Sequence, residues 1–123
     1  MIAHSGISVS NYEAAKKFYE ALLAPIGYTL YMDLPEYHVV GFSDSSHSSF
    51  WIGEKEGPQS GHVAFLAENK ADVDEFYKNA LKIGANDNGA PGYREQYSPN
   101  YYAAFIHDAD GNNIEAVWFD ESK

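Results

Sequence analysis

A chain of 123 residues, 45% hydrophobic and 21% charged, has room for one compact domain with a radius of gyration of about 14 Å and none for a separate cofactor domain. Eighteen acidic against eight basic side chains, a formal charge of −10, argue against nucleic-acid backbones, anionic membranes and polyphosphate substrates, which need clustered Lys or Arg. The absence of cysteine removes disulfides, Cys-based zinc sites and thiol nucleophiles.

The chain opens on a short strand, His4 to Val9, and then on a helical pattern: Ala15, Phe18, Tyr19, Leu22 and Leu23 follow the i, i+3, i+4, i+7, i+8 stripe of an amphipathic helix. Ser10 with Glu13 reads as its capping box, and Pro25 and Gly27 punctuate its end. Strands follow near Thr29–Asp33, His38–Ser43 and Ser49–Gly53, with His47 in a Ser-rich turn between the last two. The polar run from Glu54 to Gly61 reads as a linker. The pattern then begins again. At an offset of 58, His62 falls on His4, Asn69 on Asn11, Phe76 on Phe18, Tyr77 on Tyr19 and Leu81 on Leu23. Val73, Phe76, Tyr77, Ala80 and Leu81 form the second helical stripe, Asn69 with Asp72 its cap, and Gly84 its end. The remaining strands are expected near Arg94–Tyr97, Tyr101–His107 and Asn113–Phe119, the last two joined by the turn Asp108-Ala109-Asp110-Gly111. The expected architecture is one α+β domain over residues 1–123. It has two βαβββ modules, about 1–56 and 61–123, whose curved mixed sheets surround a cavity.

Strand parity selects the chemistry. Ile7 and Val9 suit a helix-packed face, which puts His4 on the other; Val63 and Phe65 do the same for His62; Ile114, Ala116 and Trp118 do the same for Glu115. Each residue taken singly reads as well as a structural histidine or an edge glutamate. Together on concave faces, two His and one carboxylate suit one divalent ion with open coordination positions: Fe, Zn, Ni or Mn.

On three segments the chain resembles the glyoxalase/bleomycin-resistance/dioxygenase superfamily, the vicinal oxygen chelate proteins. These are His4-Ser5-Gly6-Ile7-Ser8-Val9 with Phe18-Tyr19, Gly61-His62-Val63-Ala64-Phe65, and Asp108-Ala109-Asp110-Gly111-Asn112-Asn113-Ile114-Glu115. The resemblance spans nearly the whole chain. It implies that His4, His62 and Glu115 are metal ligands and that the ion holds vicinal oxygens of a substrate. Glyoxalase-type isomerases carry a fourth ligand, Glu or Gln, in the last strand of the first half. At an offset of 64 from Glu115 this chain has Trp51 there, an indole that neither ligates nor moves a proton. Glu54, three residues on, has the opposite strand parity. The resemblance therefore favours dioxygenase-like or lyase-like chemistry on a small oxygen-rich or aromatic metabolite. The alternative it carries is a metal-free bleomycin-resistance-type protein that sequesters a small molecule, which the acidic charge suits.

The segment from Pro91 to Tyr102, dense in aromatic and turn residues, reads either as a pocket rim with Arg94 steering a carboxylate or enolate oxygen, or as a tyrosine-rich surface. Trp51, Tyr97 and Arg94 are the candidate substrate contacts, and Arg94, Tyr102 and His107 the candidate catalytic groups, with His38 a further acid or base. No apolar run approaches the ~18 residues of a membrane span. The opening residues lack signal-peptide character, so the expectation is a cytoplasmic protein. A homodimer with a small-molecule ligand is expected from superfamily members of this length.

Overall fold

The computed structural model describes residues 2–46 and 48–123; His47 lies outside the described residues. The order is β1 (His4–Val9), α1 (Tyr12–Leu23), β2 (Thr29–Leu34), β3 (Val39–Ser43), β4 (Ser49–Glu54), then β5 (His62–Leu66), α2 (Lys70–Lys82), β6 (Asn86–Tyr93), β7 (Tyr101–His107) and β8 (Asn113–Phe119). Each module makes one four-stranded mixed sheet, in the orders β1-β4-β3-β2 and β5-β8-β7-β6. In both, the strand before the helix pairs parallel with the module's last strand, and the other pairs are antiparallel. This is the α+β repeat the sequence implied.

Two expected boundaries move. Asn11, not Ser10, caps α1: its Oδ1 accepts from Ala14 N at 3.0 Å, while Ser10 N donates to Asp110 Oδ2 of the other module. The second strand of the second module is Asn86–Tyr93, and Arg94 to Tyr97 form a turn closed by Tyr97 N onto Arg94 O at 2.9 Å. Asn86-Asp87-Asn88-Gly89-Ala90-Pro91-Gly92 reads as loop chemistry. It pairs as a strand because it lies on the sheet edge, where a proline and two register shifts are tolerated. Asn69 caps α2 as expected, accepting from Asp72 N at 2.8 Å.

Both helices lie on the inner faces of their sheets, and those faces share one core. Val9, Phe42, Phe50 and Ile52 of the first sheet and Phe65, Ala104, Ile106 and Ile114 of the second belong to a single buried cluster with Tyr19, Leu22, Val73 and Phe76 of the helices. Phe50 meets Phe65 edge-on at 5.1 Å between ring centroids, and Asn79 Nδ2 of α2 donates to Ala21 O of α1 at 2.8 Å. The modules are therefore joined back to back, and their outer faces turn away from the shared core. The cavity expected between the two sheets is not closed within one chain.

A buried polar knot crosses the junction. Asp108, 4% exposed, accepts from Asp110 N and Asn112 N on Oδ1, and from Tyr19 OH at 2.5 Å and Asn112 Nδ2 on Oδ2. Asn112 in turn accepts from Gly61 N and donates to Ser8 O. Burial and the Asp108 carboxylate together push the Tyr19 hydroxyl far above the usual tyrosine range. The D-x-D-G-N segment is thus the fastener between modules. Asp108→Ala leaves these donors unpaired, so it is expected to cost about 3 kcal/mol of unfolding free energy, against about 1 kcal/mol for Tyr19→Phe, measured by urea denaturation.

Candidate functional site

Alternation along each strand fixes what the outer faces carry. On the first module, His4, Gly6 and Ser8 of β1 point outward, as do Ser49, Trp51 and Gly53 of β4. Trp51 pairs in register with Gly6 and Gly41, and its six-membered ring lies on Gly41. A Cβ there would sit 2.8 Å from ring carbons, so the bare backbone is what lets the indole lie flat. Trp51 Nε1 donates to Ser49 Oγ at 3.0 Å, and Tyr31 meets the indole edge-on at 6.1 Å. His4 stands beside this pair in an open depression of about 480 Å³ also lined by Val39 and Ser49, all from the first module.

On the second module, His62 of β5 lies beside Glu115 of β8. His62 Nε2 is 3.2 Å from Glu115 Oε1. The imidazole is half exposed, whereas the carboxylate is 2% exposed. His62 Nδ1 is 2.9 Å from Asn113 O, a carbonyl that only accepts, so Nδ1 carries the proton and Nε2 presents a lone pair in the neutral ring. A lone pair facing a carboxylate oxygen at that distance calls for a cation, either a proton on Nε2 or an ion shared with Glu115. Glu115 Oε2 accepts from Tyr101 OH on β7. Burial first, and then that hydrogen bond and the carboxylate charge, push the Tyr101 hydroxyl well above the usual tyrosine range. Tyr101 therefore stays protonated and holds the carboxylate in one orientation.

The divalent ion that the fold family implies finds part of its donor set here. His62 and Glu115 fit as two adjacent donors. His4 belongs to the other outer face, and among the described residues no three His, Cys, Asp or Glu side chains gather as a metal site. Within one chain the three do not fit a single ion.

The other candidate residues divide between the two faces. Arg94 lies on the outer face of the second module, its guanidinium carbon 5.4 Å from the centre of the Phe105 ring, and Phe105 is directly opposite Glu115. Tyr97, 62% exposed, stacks edge-on against Tyr101 at 5.1 Å. His107 shares the parity of Phe105 and pairs with Asn113. Tyr102 does not share it. It points inward, is buried against Tyr93 and Trp118, and donates to Asp74 of α2 at 2.5 Å, with burial and that bond pushing its hydroxyl up to about 12. This corrects Tyr102 as a candidate acid or base: it braces the helix. Glu54 also points inward, as its parity required. It accepts from Tyr12 N at 2.8 Å at the start of α1 and from His38 Nδ1 at 2.9 Å, which makes His38 part of a structural cluster with the stacked Tyr12 ring. Tyr101 is the group missed. Its signal was available in the pairing of β7 with β8, which puts odd-numbered residues from Tyr101 to His107 on the face of Glu115.

Comparison with known proteins agrees with this fold. The family model described as Glyoxalase/Bleomycin resistance protein/Dioxygenase superfamily matches residues 1–116, and the chain belongs to that superfamily. Among solved structures, a glyoxalase/bleomycin resistance protein from Albidiferax ferrireducens superposes with a TM-score of 0.85 at 25% identity, covering 96% of this chain and 98% of that one. A putative glyoxalase from Bacillus halodurans gives 0.73 at 22% identity, with 96% and 95% covered. A lactoylglutathione lyase from Agrobacterium tumefaciens gives 0.74 at 19%, with 96% and 92% covered. The last two likenesses show the fold alone. No curated protein matches the chain. Among the described residues no helix is long and apolar enough to cross a membrane.

Two substitutions check the local geometry. Tyr101→Phe removes a donor from a buried carboxylate and is expected to cost about 1–3 kcal/mol in chemical denaturation. At the edge of the first module, Lys16 and the Tyr12 hydroxyl bond Asp33 and hold its carboxyl below the usual range. A lowered carboxyl stabilises the fold above its unfolded pKa, and the contribution disappears as pH falls through the folded value. Asp33→Asn should therefore lower Tm at neutral pH and flatten the decline seen as pH falls below the usual Asp range.

Proposed function

We propose that this chain is a metal-dependent enzyme acting on a small oxygen-rich or aromatic metabolite. Its site is completed between the second module of one copy and the first module of another. The single observation that carries this reading is the arrangement of His62 and Glu115. Nδ1 is tied to a carbonyl, Nε2 faces a buried carboxylate oxygen at 3.2 Å, and the other oxygen is held by Tyr101. Two oriented donors on an open face would supply two of the ligands of such an ion. His4 of the partner subunit is the third donor in this reading, because back-to-back packing keeps the His4 of the same chain on the other outer face.

The exposed apolar side chains support a dimer of this kind. Tyr31, 59% exposed, beside Trp51 on the first module, and Leu66 and Phe119 on the second, are large hydrophobics left in water on the faces that would meet. The ion, when bound, supplies Lewis acidity to neighbouring oxygens of the substrate. The chain's own residues do the rest. Tyr101 fixes the Glu115 carboxylate, Asn113 fixes the His62 tautomer, and the Trp51 indole offers a flat apolar wall that excludes water. Trp51 has no proton to move at the position where isomerases of the superfamily carry a carboxylate. Dioxygenase-like or lyase-like chemistry is accordingly favoured over proton-shuttling isomerisation.

One observation favours a second reading, metal-free sequestration of a small molecule: both Glu115 oxygens already have partners within the chain. Metal content separates the two. Protein purified without added metal or chelator is expected to hold close to one divalent ion per chain. His62→Ala and Glu115→Gln are expected to lose it with the fold retained by circular dichroism. An empty parent that takes up no ion on titration selects sequestration. Light scattering is expected to give twice the 13.7 kDa chain mass; the chain mass alone would refute the shared site.

A further inference from the structure

Arg94 is the only arginine in a chain of eighteen acidic residues, and it takes part in none of the ion pairs among the described residues, which join Lys16 to Asp33, His38 to Glu54 and His62 to Glu115. It is nevertheless held in place. Its backbone N donates to Tyr101 O at 2.7 Å, and its own carbonyl closes the turn to Tyr97. Its Nη2 donates to Ala90 O at 2.6 Å, and the guanidinium rests over Phe105.

The sheet is also cut away to receive it. A Cβ on Gly89 would lie 3.1 Å from Nη2 and 3.1 Å from Phe105 Cδ1, and a Cβ on Gly92 would lie 3.0 Å from Nη1. Gly89 further adopts φ +147, which side chains rarely allow. Two glycines flanking a proline on an edge strand thus form a cradle that fits a flat guanidinium. Ala90 O takes one of its five N–H groups, and among the described residues no carboxylate pairs with the rest of the fork. A fixed, planar, permanently charged fork matches a carboxylate with two parallel bonds.

We propose that Arg94 anchors the carboxylate of a small planar aromatic acid whose ring lies against Tyr101 and the exposed Tyr97. Tyr101 reaches the same stretch of the face, since its hydroxyl donates to Glu115, the residue opposite the Phe105 ring under the guanidinium, and Tyr97 packs edge-on against Tyr101. This inference rests on the outer face of the second module being the ligand face, and not on the presence of the ion.

Because the chain has one arginine, a nitrogen-15 spectrum contains one arginine Nε–Hε signal, which needs no assignment. Benzoate is the probe and benzamide its uncharged isostere. Benzoate is expected to move that signal along a saturating curve, with benzamide and equal added chloride leaving it in place. By calorimetry, Arg94→Lys, which loses the fork, is expected to weaken benzoate by about tenfold, the loss of a hydrogen bond to a charged group. A signal unmoved by benzoate, moved equally by benzamide, or an affinity unchanged in Arg94→Lys would overturn the proposal. Measured with and without chelator, a benzoate response in metal-free protein keeps this proposal while the ion fails. A loaded ion with no response does the reverse.

Discussion

The back-to-back packing of the two modules is the constraint on which the rest depends. Phe50 against Phe65 and the Asp108 knot between Tyr19, Asn112 and Gly61 put both helix-bearing faces into one core. Strand parity then leaves no choice for the alternate residues. If Phe65 is inside, His62 and Leu66 are outside; if Ile52 is inside, Trp51 is outside. The strand residues among the candidates take their faces by that arithmetic, and Glu115, though on an outer face, is covered there by His62 and Tyr101. A chain of this size buries one core well, and sharing it between the modules leaves two open faces rather than one closed cup.

The sequence made much of this legible, because the relevant signals are periodic. The helical stripes, the repeat at an offset of 58 and the alternation in β1, β5 and β8 are local patterns, and they assign faces to His4, His62 and Glu115 without any long-range information. Local patterns do not report how two modules are set against each other. Nothing between His4 and His62 says whether their faces converge, and the structure puts the two histidines on separate outer faces.

The failures have physical causes as well. Asn86–Tyr93 pairs as a strand despite Gly and Pro because an edge strand tolerates them, and the same residues leave the gap in which Arg94 lies. Tyr102 reads from the sequence as a candidate acid or base, yet of the adjacent Tyr101 and Tyr102 only one can face the site. The register of β7 with β8 gives that place to Tyr101. Ser10 and Glu13 had capping-box spacing, but Asn11 is the better cap, and Ser10 N is spent on Asp110 across the junction. In each case a long-range pairing overruled a plausible local motif.

If two copies complete each site, the halves must complement in trans. A mixture of His4→Ala and Glu115→Gln proteins, unfolded together and refolded so that subunits exchange, tests this directly by metal content per dimer. Neither parent variant should bind. The mixed dimer pairs an intact first module from one subunit with an intact second module from the other, so one of its two sites should recover the ion. A mixture that binds no more metal than its parents, while forming mixed dimers by native mass spectrometry, would contradict the account.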